Sequence, residues 1–189
     1  MRTFENLIKA YVGESQARNR YTFYASIARK EGYEQIAEIF EITAMNEKEH
    51  AETFFELAQK LKGNLDEIKI EALAPLSIGN TIDNLKAAIK GEHYENSELY
   101  PEFAKIAREE GFNDIASRIE AIIIAEKHHE ERYKKLLELL ESGKFFKRDE
   151  PIVWVCRKCG YVHIGKTPPQ ECPSCGHSFM YFQRLCEEY

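Results

Sequence analysis

Glutamate and histidine stand three residues apart in two segments, Glu47–His50 and Glu126–His129. Side chains three apart leave the same face of a helix, so each segment can present a carboxylate and an imidazole to one ion. Further acids, Glu14, Glu92 and Glu95, fall in other segments with a helical pattern. One glutamate from each of two helices and Glu-x-x-His from each of two others form the donor set of di-iron and di-manganese bundles. The spacing therefore predicts a two-metal site with these candidate ligands: Glu14, Glu47, His50, Glu92, Glu95, Glu126 and His129.

The residue types of this set suit redox metals. Two hard cations close together need anionic oxygens to offset their charge, and imidazole binds ferrous and ferric iron alike. Any one of these glutamates taken alone is better explained as a solvated residue. The whole set favours metal, because Glu-x-x-His recurs at the same position of an internal repeat. With Glu95 the set has seven candidate ligands, although six are enough for a site of this kind. We hypothesise that Glu95 holds a ferric ion and yields to His50 when that ion is ferrous.

The internal repeat organises the first 141 residues. Residues 24–50 and 103–129 match at an offset of 79, which aligns Gly32 with Gly111. Each half has the pattern of a helix, a glycine-containing turn and a second helix, and such a hairpin buries its apolar face only against another. We predict helices at about 3–31, 33–62, 80–110 and 112–142. The long segment between the second and third helices suits the single crossover of a ferritin-like four-helix bundle.

One position departs from the repeat. Adding 79 to Glu14 gives His93, so Glu92 is one residue out of register. A one-residue bulge in a helix would absorb the difference, and such bulges favour functional sites. We expect His93 and His128 to lie outside the metal site. Pro101 falls inside the third helix and should kink it.

Two tyrosines follow the acids of the first and third helices. Tyr21 lies two turns after Glu14, and Tyr100 lies five residues after Glu95. Their hydroxyls could donate hydrogen bonds to ligand carboxylates or to a bound peroxide, and we include Tyr21 among the candidate catalytic residues. Packing in an aromatic core explains both side chains equally well, because a buried tyrosine usually finds a partner in any case.

All five cysteines lie beyond residue 155. Cys156 and Cys159 form one C-x-x-C pair, Cys172 and Cys175 form another, and twelve residues separate the pairs. Two such pairs can close on one tetrahedral ion, and alone they would fit zinc better than iron. The neighbouring bundle favours iron, because an iron–tetracysteine centre can transfer single electrons to a redox di-iron site, whereas zinc would only stabilise the fold. Cys186 falls outside the pairs and is expected to be a packing or surface thiol.

The domain organisation follows from these patterns. We predict a di-iron bundle over residues 1–142, a linker over 143–150 and a small metal-binding β domain over 151–189. The last segment is too short to fold on apolar burial alone and needs a metal to hold it together.

Composition narrows the function classes. The chain of 189 residues is 43% hydrophobic and 31% charged, which is typical of a folded globular protein. A formal net charge of −6 gives no electrostatic reason to expect nucleic acid. The first ten residues lack the pattern of a signal peptide, and the longest apolar runs are too short to span a bilayer. We therefore expect a cytoplasmic protein with no membrane partner.

Taken together, these motifs resemble the rubrerythrin family. The matching segments are residues 13–18, 47–50, 91–95, 126–129 and 154–175, and the resemblance covers nearly the whole chain. It implies that Glu47 and Glu126 bridge two irons and that Glu14 is terminal on one of them, where Glu95 and His50 exchange. It also implies that Glu92 and His129 serve the other iron. A rubredoxin-type iron would be held by Cys156, Cys159, Cys172 and Cys175.

The same resemblance implies a function. Members of the family are similar in being cytoplasmic non-haem di-iron peroxidases that reduce hydrogen peroxide to water and protect against oxidative stress. They receive electrons from NAD(P)H through separate reductases and rubredoxin-like carriers. They are typically homodimers in which the iron–tetracysteine domain of one subunit approaches the di-iron site of the other. We accordingly predict that the working distance for electron transfer is set between chains.

Two other function classes stay open on the sequence alone. A ferritin-like bundle could oxidise ferrous iron and store it as mineral, although storage does not explain the four cysteines. A zinc-ribbon interaction protein could use the bundle only to dimerise, and it would contain zinc and no iron. The same ligands would also accept manganese, zinc or a mixture of metals in place of iron.

Overall fold

The computed structural model describes residues 1–187. Its helical part contains α1 (Arg2–Lys30), α2 (Glu34–Gln59), α3 (Thr81–Tyr94), a π-helical turn (Glu95–Leu99), α4 (Tyr100–Glu109) and α5 (Asn113–Glu141). The third predicted helix is thus α3, the π turn and α4 in continuous succession. The small C-terminal part contains β1 (Ile152–Cys156), β2 (Val162–Gly165), a 3-10 turn (Phe179–Tyr181) and β3 (Phe182–Arg184). The predicted fold class, a four-helix bundle with a small metal-binding β region, is confirmed.

The turns of the two hairpins have the same construction. Gly32 and Gly111 both have φ = 87°, a left-handed conformation that glycine adopts without steric cost. In the first turn the amide of Tyr33 donates to the carbonyl of Ala28 at 2.9 Å, and in the second the amide of Phe112 donates to the carbonyl of Ala107 at 2.8 Å. These bonds close the Schellman pattern that ends a helix.

Each turn also supports the first helix of the other hairpin. Glu31 accepts a hydrogen bond at 3.0 Å from the amide of Thr81, at the start of α3. Glu110 accepts from the amides of Arg2 and Thr3, at the start of α1, at 3.1 and 2.9 Å. Helix N-termini carry unpaired N–H groups and a partial positive charge, which a carboxylate satisfies. The two hairpins therefore cap each other reciprocally.

The bundle core consists of two apolar clusters with a polar layer between them. One cluster is built from the N-terminal end of α1, the C-terminal end of α2, α4 and the first half of α5, and it includes Leu7, Phe54, Phe103 and Ile119. The other is built from the C-terminal end of α1, the N-terminal half of α2, α3 and the second half of α5, and it includes Tyr24, Ile36, Phe40, Leu85 and Leu136. On each helix the candidate metal-binding glutamate falls between residues of the two clusters.

The π turn explains the register of the repeat. Before it, equivalent residues are 78 apart: Thr3 matches Thr81 and Glu14 matches Glu92. After it, the offset is 79. The predicted one-residue bulge is therefore the turn at Glu95–Leu99. Pro101 follows directly, in the first turn of α4, and its kink stays a prediction.

The C-terminal part is a three-stranded antiparallel sheet in the order β2-β1-β3. Its small core contains Trp154 and Phe182 together with Cys156 and Cys172. It packs on the turn between α1 and α2. There a Cβ on Gly32 would lie 2.7 Å from Sδ of Met180, so a side chain at this position would require the Met180 side chain to move.

No helix within residues 1–187 combines the length and the apolar character that a membrane crossing would require.

Candidate metal centres

The carboxylates and imidazoles of the bundle converge in two overlapping groups. Glu14, Glu47, His50 and Glu126 offer donor atoms within 4.8 Å of one another, and so do Glu47, Glu92, Glu126 and His129. Glu47 and Glu126 belong to both groups. One glutamate comes from α1, one from α3 and a Glu-x-x-His pair from each of α2 and α5, which is the donor set of a two-metal bundle.

Short contacts define the centre of the site. His50 Nδ1 lies 2.9 Å from a carboxylate oxygen of Glu47 and 2.8 Å from one of Glu126. His129 Nδ1 lies 3.2, 2.9 and 3.5 Å from oxygens of Glu47, Glu126 and Glu92. Both histidines thus direct Nδ1 towards the two shared glutamates.

The site is deeply buried. The four glutamates of the two groups are at most 1% exposed and His129 is 3% exposed. Within residues 1–187, both carboxylate oxygens of Glu47 and Glu126, and Nδ1 of both histidines, approach one another closely but form no hydrogen bond of regular geometry. A buried polar atom without a hydrogen bond destabilises the fold. Because many such atoms lie together here, the cluster is expected to bind a ligand. Bound cations would satisfy them, and the donor set therefore fits a pair of metal ions.

The pKa values also reflect this environment in the metal-free protein. Burial, followed by the charge of Glu126, raises the pKa of Glu14 well above its ordinary value. Burial and the charge of Glu47 do the same to the pKa of Glu92. Burial would lower the pKa of the two histidines, but the contacts with Glu126 and Glu47 outweigh it and raise the pKa of His50 to about 10 and that of His129 to about 12. The nearby glutamates thus favour the charged form of both imidazoles.

Two tyrosines contact Glu14 and Glu92, the glutamates that each belong to only one donor group. Tyr21 OH donates to a carboxylate oxygen of Glu92 at 2.5 Å, and Tyr100 OH donates to Glu14. Both tyrosines are buried, and each lies in the hairpin opposite the glutamate that it contacts. Hydrogen bonding to ligand carboxylates, one of the two explanations that the sequence left open, is therefore present alongside aromatic packing.

Glu95 lies beside the site without joining either group of close donors. It begins the π turn. Burial raises the pKa of Glu95 well above its ordinary value, and the charges of Glu92 and Glu126 add to the effect. His50, its partner in the hypothesised exchange, belongs to the donor group that includes Glu14. The exchange itself stays a prediction.

The two extra histidines lie outside the site, as expected. His128 is exposed. His93 Nδ1 lies 3.0 Å from Glu130, which in turn contacts Asn96 at 2.8 Å. Glu130 and Asn96 are buried, and the sequence interpretation missed both. The available signal was the repeat, because an offset of 79 pairs Glu130 and Asn96 with buried alanines.

The four predicted cysteines form the second centre, with donor atoms within 4.8 Å of one another. Cys156 Sγ lies 3.8 Å from Cys175 Sγ, and Cys159 Sγ lies 3.6 Å from Cys172 Sγ. A backbone amide at Tyr161 lowers the pKa of the Cys159 thiol to about 6. Among the described thiols none forms a disulfide, and the four together fit one tetrahedral ion. Cys186 is exposed and lies outside this centre, as expected.

Comparison with known proteins agrees with this arrangement. The family model described as rubrerythrin matches residues 5–137, and the model described as the rubredoxin-like domain of rubrerythrin matches residues 154–183. The chain is 58% identical to the putative rubrerythrin of Methanocaldococcus jannaschii, over 99% of this chain and 94% of that one. It is 48% identical to the rubrerythrin of Porphyromonas gingivalis, over 100% of this chain and 92% of that one. The chain belongs to the rubrerythrin family.

Solved structures of a relative give the same result. A partially reduced nigerythrin is similar with a TM-score of 0.64 and 33% identity, over 97% of this chain and 86% of that one. Within the rubrerythrin family, the carboxylate–histidine cluster is the site of a di-iron centre and the four-cysteine cluster is the site of a rubredoxin-type iron. The predicted family and cofactors are confirmed, and the chain is of the oxidoreductase kind.

Proposed function

We propose that this chain is a peroxidase that reduces hydrogen peroxide to water at the di-iron site, with electrons arriving through the four-cysteine iron. The observation that carries the proposal is the pair of overlapping donor groups, which share Glu47 and Glu126 and in which every residue except the partly exposed His50 is buried. Shared carboxylates hold two ions close enough to act on one small substrate together. The reaction consumes one peroxide, two electrons and two protons and releases two waters.

We propose ligand roles that agree with the two donor groups. Glu47 and Glu126, which belong to both groups, would hold both ions. Glu14 would hold one of them, where Glu95 and His50 would exchange, and Glu92 and His129 would hold the other. When bound, the two irons supply the two electrons and the Lewis acidity that cleavage of the O–O bond requires.

The surrounding residues orient the ligands and control access of water. Tyr21 and Tyr100 hold the terminal carboxylates by hydrogen bonds and are neutral donors close to the site. We propose Tyr21 as a catalytic residue whose single hydroxyl proton, donated to Glu92 here, would turn to peroxide as a hydrogen-bond or proton donor during the reaction. The apolar clusters above and below the polar layer exclude bulk water. Exclusion of water strengthens each electrostatic interaction within the site.

Electron delivery is proposed to occur between chains of a homodimer or a higher oligomer. Arg157, between the first two cysteines, contacts Glu38 of α2 at 2.5 Å. Glu38 precedes Glu47 by nine residues, which is roughly 14 Å along a helix. The four-cysteine centre therefore lies beyond one end of its own bundle. A second copy can bring its own centre to the side of the bundle, and a strictly monomeric form should turn over slowly.

The external electron source is proposed to be a rubredoxin-like carrier or an NAD(P)H-dependent reductase in the cytoplasm. A reducing compartment suits a protein whose cysteines serve as thiolate ligands. In that setting the reaction would protect the cell against peroxide.

The test is an anaerobic assay with the iron-loaded protein. Three irons per chain and a red colour that reductant bleaches and peroxide restores are expected, in keeping with the two kinds of site. With a reduced rubredoxin as donor, peroxide consumption should be much faster than oxidation and retention of added ferrous iron. If iron retention is the faster process, the storage function is correct. A colourless protein that contains zinc and no iron would support the interaction protein.

A further inference from the structure

The two hairpins differ where their helices pack beside the di-iron site. Near the first hairpin's ligands, α1 and α2 carry Ala17 and Ala51, both buried. When Glu95 is counted as the extra residue of the π turn, the offset is 79 from Asn96 onwards, and the second hairpin has Asn96 and Glu130 at the equivalent positions. A polar pair therefore replaces two alanines in the interior of one hairpin only, and it does so in the hairpin that contains the π turn.

The polar pair forms a connected set of contacts. Nδ2 of Asn96 donates to the backbone carbonyl of Glu92 at 2.7 Å and to the carboxylate of Glu130 at 2.8 Å. The second carboxylate oxygen of Glu130 lies 3.0 Å from His93 Nδ1 and 2.5 Å from Lys134 Nζ. Asn96 is 5% exposed and Glu130 is 6% exposed. A buried carboxylate is costly unless it is paired, and these donors pair it.

The location of Asn96 relates these contacts to the metal ligands. Asn96 is the second residue of the π turn, one position after Glu95 and four after Glu92. A π turn gives up regular helical hydrogen bonds and persists only where its surroundings stabilise it. The side-chain amide of Asn96 donates to the backbone carbonyl of Glu92, a candidate ligand. The same amide donates to Glu130, which lies in α5 directly after His129. The π turn is thereby joined to both helices that supply ligands to one ion.

We propose that Asn96 and Glu130 are positioning residues that stabilise the π turn and so place Glu92 and Glu95 for metal binding. The proposal rests on the di-iron site of the proposed function but not on peroxide as the substrate. The first hairpin supports it, because with alanines at both positions its helix α1 is regular and has no counterpart of Glu95. The pair is thus the feature of the second hairpin that accompanies the extra residue.

The experiment compares Asn96→Ala, Glu130→Ala, the double variant and Glu130→Gln with the parent protein. Lys134→Ala is the matched control, because it removes a surface contact of Glu130 and leaves the pair with Asn96 intact. Hydrogen exchange in the metal-free protein measures protection of the amides in the π turn. Titration with Co²⁺, which is stable to oxidation, measures the affinity of the bundle site for metal.

Asn96→Ala and Glu130→Ala should each increase amide exchange in the π turn about tenfold and weaken binding of one Co²⁺ at least tenfold, since loss of groups that orient ligands commonly has this effect. The double variant should be no worse than the poorer single variant, because the two residues act as a unit. Glu130→Gln retains an acceptor for Asn96 and should recover Co²⁺ binding to within about threefold of the parent.

Several results would overturn the proposal. Parent-like exchange and Co²⁺ affinity in both alanine variants would do so, and so would an equal effect of Lys134→Ala. If the alanine variants have a lower melting temperature but bind Co²⁺ as tightly as the parent when folded, the pair contributes to stability only and does not position the ligands. If Glu130→Ala does not fold, Asn96→Ala decides the question, since alanine is tolerated at the equivalent Ala17. Amide exchange and Co²⁺ affinity are measured without any peroxidase assay. These two measurements therefore test the positioning role even if the proposed peroxidase function is wrong.

Discussion

The two metal centres of this chain relate to their surroundings in opposite ways. The bundle site is a polar layer between two apolar clusters, each built from residues of several helices. In the C-terminal part, two of the four buried core residues, Cys156 and Cys172, are themselves candidate ligands. The bundle therefore has a core that does not depend on metal, whereas the small sheet has almost none without it. Metal should serve mainly chemistry in the first centre and both chemistry and folding in the second.

The strongest test of this contrast removes a thiolate. Cys159→Ser should unfold the C-terminal part, because structural tetracysteine sites contribute about 10 kcal/mol or more of binding free energy to folding. Trp154 is the only tryptophan of the chain and is 1% exposed in this part. Its fluorescence should shift to that of a solvated indole while the helical circular dichroism is retained. Cys186→Ser is the control and should change neither signal.

Loss of a shared carboxylate should have the next largest effect. Glu126→Ala is expected to weaken binding of both ions in the bundle by at least about 100-fold, because one residue supplies donors to both groups. Glu14→Ala should weaken mainly one ion. Calorimetric titration with Co²⁺ distinguishes the two patterns. Retention of one tight ion in Glu126→Ala would contradict the bridging role, and unchanged tryptophan fluorescence would confirm that the other centre is intact.

The metal-free bundle should lose stability as pH rises. The folded state raises the pKa of His50 to about 10 and that of His129 to about 12, so the native chain binds these protons more tightly than the unfolded chain. Their contribution is complete below the unfolded value of about 6.5 and is lost as pH rises through the folded values. We expect a melting temperature at least about 5 °C lower at pH 9 than at pH 6.5.

Metal should abolish this dependence, because bound ions replace the protons on both histidines. The check is calorimetry of metal-free and Co²⁺-loaded protein at the two pH values, with the helical signal followed separately from Trp154. Parallel pH profiles of the two forms would show that the histidines are not ligands.

The smallest of these effects concerns the tyrosines. Tyr100→Phe removes the hydrogen bond to Glu14, and Tyr21→Phe removes the one to Glu92. Each should cost about 1–2 kcal/mol, or about tenfold in affinity for the ion on its own side. Tyr133→Phe is the matched control, since the buried hydroxyl of Tyr133 has no hydrogen-bond partner within residues 1–187. Equal losses in all three variants would mean that the tyrosines act only by packing.

The sequence predicted most of the bundle because its signals are periodic. The repeat located both turns, and the predicted helix 112–142 corresponds to α5 at Asn113–Glu141. The single misfit of the repeat predicted a bulge, which is the π turn at Glu95–Leu99. The cysteine pairs predicted the second centre because their spacing is local. The domain limits at 142, 150 and 151 stay predictions.

Contacts across helices could not be predicted in the same way. The tyrosines were recognised as possible donors, but their pairing with the glutamate of the opposite hairpin depends on how the helices rotate and slide in the packed bundle. Glu130 was missed because a charged residue next to His129 fits a solvated helix face equally well. The packing of Met180 on Gly32 likewise depends on the tertiary structure, since no short motif connects them.

The reciprocal carboxylate caps have a consequence for assembly. Glu31 bonds the start of α3, and Glu110 bonds the start of α1, so these caps join one hairpin to the other. Only residues 60–80 connect the two hairpins along the chain. If that connection opened, two copies could exchange hairpins and rebuild the same caps and the same four-helix metal site in each half. Domain swapping would then cost little beyond the entropy of rearranging one connecting segment.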